Sequence, residues 1–157
     1  MNAGVAHDGS RATLSLLVGR FVAASPDLVF NAWTQPDLLE RWWGPKEISC
    51  SEAQVDLRVG GRYRLANRDP EGAVLWITGI FEAVERPHRL VYTWAHEPVD
   101  ESTEYTRVTV RFEAADGGTE VTLVHELLPS QESKATHAAG WHGCLDGLAT
   151  LFDAPAS

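Results

Sequence analysis

Tyr63, Tyr92, His96 and His125 stand where the sequence otherwise places apolar side chains. Each lies in a run that alternates polar and apolar residues, and each falls on the apolar side. A buried polar group left without a partner costs about 1–3 kcal/mol. Each of the four therefore needs a hydrogen-bond partner, a trapped water or a cavity. In a cavity, a tyrosine could donate a proton and an imidazole could take one. That is general acid–base chemistry, which needs approach to about 3 Å and a pKa near the working pH. Without a reacting centre, the same four would supply the few convergent polar groups of an apolar small-molecule site.

Other chemistries find less support. His137 and His142 are close in sequence, but a spacing of five sets them about 140° apart on a helix. No carboxylate or cysteine pairing completes a zinc set, so no metal is expected, and no cofactor. No Gly-x-Ser-x-Gly elbow marks a serine nucleophile. Cys50 and Cys144 are the only cysteines and match no metal or redox spacing. Cys144 falls on an apolar helical stripe and reads as an inert small hydrophobe. Two lone thiols fit a reducing compartment, which points to the cytoplasm. A formal charge of −9, with no basic run, argues against nucleic acid and against anionic membrane surfaces, both of which need a basic face. No apolar run is long enough to cross a bilayer.

The elements that must position these groups follow from periodicity. Residues 1–12 read as a flexible tail ahead of a single domain, 13–154. "LSLLVGRFVA" reads as a first strand. Ser25 is an N-cap, Pro26 opens the helix, and Asp27 favours its dipole. A second short helix starts near Thr34 and Asp37, which have capping-box-like spacing. It carries Leu38, Leu39, Trp42 and Trp43 as i, i+4 pairs and ends at Gly44-Pro45. Period two then takes over. Val55 and Leu57 alternate with charges as far as Gly60-Gly61, a hairpin signal, and "RYRLANR" follows. "VLWITGIFEAVE" is apolar on both faces, so its facing stays open. "RLVYTWAHE", "RVTVRFE" and "EVTLVHEL" continue the pattern. From about Gln131 to Asp153 the period returns to 3.6, with Trp141, Cys144, Leu145, Leu148, Leu151 and Phe152 on one stripe.

Alternation over successive hairpins means an antiparallel sheet with one wet face and one covered face. The expected fold is therefore α+β: a seven-stranded curved antiparallel sheet around a long C-terminal helix, with two short helices after strand 1. Val108, Val110, Phe112, Val121 and Leu123 would face inward beside the polar four. Neighbours on a helix point about 100° apart, so Trp42 and Trp43 cannot fill one hole. One would anchor the short helix and the other would close an end of a chamber. Burying a ring of about 200 Å² contributes on the order of 5 kcal/mol, enough to fix so short an element.

"VFNAWTQPDLLERWWGP", "VDLRVGGRYR", "RLVYTW" and "HAAGWHGCLDGLATLF" together resemble, in that order, the family of homologues of the activator of heat-shock protein 90 ATPase. That family belongs to the START-like, or SRPBCC, superfamily with the helix-grip fold. The resemblance spans roughly residues 14 to 153. It implies a cavity between sheet and long helix, used by relatives for lipids, hormones or polyketides, and sometimes for cyclase or dehydratase chemistry. The full activator has a further N-terminal domain that makes much of its chaperone contact, and no such domain is read here.

Three functions follow as expectations. The first is a non-enzymatic binder of a small hydrophobic or aromatic ligand. It would be held by Trp42, Trp43, Tyr63, Tyr92, Trp94, His96, Val110, Phe112, His125, Trp141 and Leu145. The second is a polyketide cyclase/dehydratase-like enzyme with His96 or His125 as acid/base and Tyr63 or Tyr92 as proton-donating partner. The third is a co-chaperone-like interaction domain. The acidic connection Glu97 to Glu104 reads as a solvated surface or as a gate at a cavity mouth. An exposed edge strand could pair in a homodimer.

Overall fold

Seven strands build one antiparallel sheet, buried on the face that the helices cover. The computed structural model describes residues 13–44 and 47–153. In chain order the elements are β1 (Leu14–Val22), α1 (Pro26–Thr34), α2 (Pro36–Trp42), β2 (Ser49–Val55), β3 (Arg62–Arg68), β4 (Val74–Glu85), β5 (Arg89–His96), β6 (Thr106–Ala115), β7 (Gly118–Leu128) and α3 (Gln131–Leu151). The seven strands lie in the order β1-β7-β6-β5-β4-β3-β2, and every neighbouring pair is antiparallel. The expected α+β helix-grip architecture is thus present, with α3 along β1 and β7 and the short helices closing the rest of the covered face.

Register breaks near Leu14, Cys50 and Phe81 interrupt the ladders, and such bulges bend strands and add curvature. The core between sheet and helices includes Val22, Phe30, Leu90, Val110, Phe112, Leu123 and Leu148, all almost fully buried. From α3 it takes Trp141, Cys144, Leu145, Leu148 and Ala149, which recur at three- and four-residue spacing as a single helical face. In β4, Ile77 and Phe81 belong to the core and Ile80 on the opposite phase is exposed, while Leu75, in phase with Ile77, lies near the strand's start and keeps exposed surface.

Four expectations are corrected. First, α2 is not capped by Thr34. Gln35 is its N-cap, without a side-chain hydrogen bond, and Pro36 opens it. The buried Thr34 hydroxyl instead donates to the Phe30 carbonyl at 2.9 Å, which closes the last turn of α1. Ser25 does cap α1, accepting from the Leu28 amide. Second, α2 stops at Trp42, and Trp43 is already extended, with φ −68° and ψ 142°. The tryptophans are therefore not helical neighbours. Both are buried, and their rings meet edge to face with centroids 5.5 Å apart. Gly44 follows at φ +120°; Pro45 lies outside the described residues, as do the 1–12 tail and residue 154.

Third, β2 ends at Val55 rather than Val59. The Gly61 amide donates to Arg58 and the Gly60 amide to Phe81, so the chain turns early. Val55 and Leu57 are left half-buried, and Val59 is 64% exposed. Fourth, His96 is not interior. It is the last residue of β5, beyond buried Trp94, and keeps an exposed side. Among the described residues, no helix is long and apolar enough to cross a membrane.

Candidate functional site

Aromatic side chains from four elements meet beneath α3. Trp42, on α2, donates its Nε1–H to the Ala32 carbonyl at 2.8 Å, and its ring lies 5.0 Å from that of Trp33 on α1. Trp33 stacks on Trp141 of α3 with centroids 6.3 Å apart and planes 18° from parallel. Trp43 meets Trp141 edge to face at 5.4 Å, and Trp94 of β5 tilts against Trp141 at 5.1 Å. Large flat rings in such edge and tilted contacts gain more than buried area alone, but they tessellate poorly and leave gaps.

Two gaps result. The inner one is about 20 Å³ and lies among Trp33, Trp43, Tyr63, Phe81 and Tyr92, room for roughly a single water. The outer one is about 260 Å³. Trp43 just after α2, Asn67 on β3 and Leu75 and Ile77 on β4 supply its walls. Trp94 and His96 come from β5, and α3 adds Thr136, His137, Gly140, Trp141 and Cys144. Exposed Leu75, His96 and Thr136 mark its mouth.

The polar groups beside these gaps are mostly engaged. An indole N–H only donates, so the 3.0 Å contact from Trp141 Nε1 makes His125 Nδ1 an acceptor. The His125 proton then sits on Nε2 and is donated to Thr106 Oγ1 at 2.7 Å. Thr106 in turn donates to the Trp94 carbonyl at 3.2 Å. Burial, followed by the neighbouring His137 and His96, pushes the His125 pKa down to about 3. The ring is a neutral, fully bonded part of the cavity's foundation. His137 donates from Nδ1 to the Ser133 carbonyl at 2.8 Å, and its ring lies 4.7 Å from that of His125. His96 stacks on His137 with centroids 6.3 Å apart; burial first, then His137, lowers its pKa.

The tyrosines are equally occupied. The Tyr63 hydroxyl donates to the Thr93 carbonyl at 2.6 Å, and the Tyr92 oxygen accepts from Trp33 Nε1 at 3.2 Å. Burial raises both phenol pKa values, Tyr63 with help from Tyr92 and Tyr105. Burial also lifts Cys144 to about 12. One polar atom differs. Among the described residues, Trp94 Nε1 is buried and has no hydrogen-bond partner.

Of the residues singled out from sequence, the outer cavity brings together Trp43, Trp94, His96 and Trp141. His125 lies behind that wall. Tyr63 and Tyr92 border the inner gap, and Trp42, Val110, Phe112 and Leu145 are packed core. Asn67, His137 and Gly140 were not anticipated as lining residues. Each had a signal: Asn67 keeps the inward phase of Tyr63 and Leu65, and His137 is one helical turn before Trp141. Gly140 is a glycine inside a helix, where it weakens the element by about 1 kcal/mol relative to alanine. No group of three or more His, Cys, Asp or Glu among the described residues could hold a metal ion.

The architecture recurs in known proteins. The sequence profile of the family described as Activator of Hsp90 ATPase homolog 1-like protein matches residues 23–153. No match is found among curated proteins. Solved structures are similar over most of their length. A Chromobacterium violaceum protein aligns with TM-score 0.79 and 22% identity, over 90% of this chain and 99% of its own. A Nitrosomonas europaea protein gives 0.75 and 27%, over 88% and 94%. An AHSA1-like protein from Aeromonas hydrophila gives 0.75 and 27%, over 87% and 90%. With the profile spanning most of the sequence and the helix-grip sheet in place, the chain belongs to the Activator of Hsp90 ATPase homolog 1-like family, within the START-like (SRPBCC) superfamily.

Proposed function

We propose that the protein binds a small apolar or aromatic molecule in the outer cavity, against Trp43, Trp94, Trp141 and His137. The observation that carries this reading is the cavity itself, about 260 Å³ of space walled by three indoles. An apolar cavity of roughly 150 Å³ already takes benzene, so a one- or two-ring compound fits by size. The location supports the reading too, because the space lies between sheet and C-terminal helix, where relatives of this superfamily are expected to hold ligands.

Acid–base catalysis has weaker support. Tyr63 and Tyr92 border the inner gap rather than the outer cavity, and both nitrogens of His125 are committed to neighbours. A proton-transfer pair drawn from these residues would lack a shared space for substrate.

Gly140 provides the test. A Cβ built there meets nothing within 4 Å, so Gly140→Leu should fill the cavity without disturbing the packed face of α3. Neutral one- and two-ring aromatics should raise the wild-type melting temperature and leave the variant's unchanged. Equal shifts in both proteins, or none in wild type, would refute the assignment.

A further inference from the structure

The two edges of the sheet are built differently. β2, at one end, is closed to further pairing. Its ladder to β3 is irregular between Cys50 and Glu52, Glu40 of α2 takes the Ala53 amide at 3.1 Å, and exposed Gln54 and Glu52 bond each other beside it. Bulges, charges and cover are the usual ways of keeping a second strand off an edge. β1, at the other end, is regular and nearly uncharged. Its nine residues, LSLLVGRFV, include no proline, lysine or carboxylate. Past an irregularity at its start, Leu16 to Val22 pair with β7 without a break. On the wet side Leu17 is 69% and Phe21 43% exposed. A long, regular edge with apolar residues on its wet side is a template for another strand.

Charge and register select a second copy of this chain as the occupant. Two copies that each carry a formal charge of −9 repel, and they meet at least cost where the surface is neutral. β1 is such a place. Its single charge, Arg20, lies 3.2 Å from Asp146 of α3 and is neutralised there. Beside Leu17 and Gly19 on β7 stand the uncharged Val124 and Thr122. The strand is also self-complementary. Antiparallel pairing about a two-fold axis through Gly19 sets Leu17 opposite Phe21 of the second copy, and Phe21 opposite its Leu17. Opposed residues in an antiparallel pair share a face and touch, so the two exposed apolar residues cover each other. We infer that the protein forms a two-fold homodimer by this pairing of β1, joining the seven strands of each copy into one sheet. A two-fold contact uses the same patch on both copies and closes on itself. β1 lines neither gap, so the pairing is independent of the ligand reading. A nine-residue strand is about 30 Å long. That contact is at the small end of protein interfaces, which makes the dimer weak and dependent on concentration.

Sedimentation equilibrium of the full chain reads this directly. The average mass should rise from that of a monomer near about 10 µM toward twice that value near about 1 mM. The rise should steepen as added salt screens the net charge. Leu17→Lys combined with Phe21→Lys sets lysine opposite lysine at both crossings and should abolish the rise, although it makes each copy less negative. Leu17→Lys combined with Phe21→Glu sets lysine opposite glutamate and should restore it. A monomer at every concentration, or a dimer that the two double variants keep or lose alike, would overturn the pairing. Should either variant fail to fold, amide exchange in the wild-type protein decides. Exchange from β1 should slow as concentration rises, while exchange from β2 should not; no slowing in β1 would overturn the proposal.

Discussion

Trp141 Nε1 donates to His125 Nδ1 across 3.0 Å, joining the long helix to β7 through one neutral imidazole. The bond exists only while Nδ1 is unprotonated. Burial holds the folded pKa at about 3, against an ordinary unfolded value of about 6.5. Between those values the unfolded chain binds the proton and the folded chain does not. Stability contributed by His125 is therefore complete above about pH 6.5 and falls as pH drops toward 3, by up to roughly 1.4 kcal/mol per pH unit. His96, also lowered, adds a loss of the same sign. Urea midpoints at pH 7, 6 and 5 should fall steadily, and His125→Gln should flatten the dependence. A flat wild-type profile in that window would contradict the assignment. Glu97, lowered chiefly by its hydrogen bond with Arg64, adds its own loss only further into acid, in the carboxylate range.

The other side of the same imidazole gives a second expectation. Thr106 Oγ1 receives the His125 Nε2–H and passes a hydrogen bond to the Trp94 carbonyl. Thr106→Val keeps the shape but strands a buried donor, so it should cost about 1–3 kcal/mol in denaturant titrations. Thr106→Ser should restore most of it. If valine is tolerated without loss, the proton is not where the indole contact places it.

Much of this arrangement is legible in the sequence, for identifiable reasons. Period two survives in strands because one face is covered, so Tyr63, Tyr92, Trp94 and His125 are correctly read as inward. The stripe of α3 survives because five of its residues bury one face. Element ends are less legible. Trp43 reads as helical because its spacing to Leu39 is right, yet the chain leaves the helix one residue earlier. His96 keeps the inward phase of β5, but facing inward at a strand's last residue does not ensure a cover. The sizes of the two gaps depend on how rings from α1, α2, β5 and α3 tilt against each other, which no local pattern encodes. For that reason Tyr63 and Tyr92 could be placed inside but not assigned to the smaller space.

Gly79 in the middle of β4 is required by a close approach. A Cβ there would collide with the Thr93 carbonyl, the atom that accepts the Tyr63 hydroxyl, and would crowd the Tyr63 ring. Neither partner can retreat easily, since one is backbone and the other is buried. Gly79→Ala should therefore destabilise by about 2 kcal/mol or more, in the range of overpacked cores. Gly140→Ala should do the opposite: its Cβ enters open space, and the helix gains about 0.5–1 kcal/mol. Thermal melts of the two variants should move in opposite directions.

The two gaps can also be told apart functionally. Tyr63→Phe removes only the 2.6 Å bond to the Thr93 carbonyl beside the inner gap, so it should cost about 1 kcal/mol of stability and leave the affinity for neutral two-ring aromatics unchanged. Asn67→Ala removes the acceptor that orients Trp43 on the outer cavity. The freed indole can rotate into the space, so a neutral two-ring aromatic should bind about tenfold more weakly, the equivalent of about 1.4 kcal/mol. Isothermal titration on both variants reads the difference directly. A loss of affinity in Tyr63→Phe with none in Asn67→Ala would move the binding site to the inner gap, which at about 20 Å³ could accept a ring only by opening the contact between Tyr63 and Tyr92, now 5.1 Å from centroid to centroid.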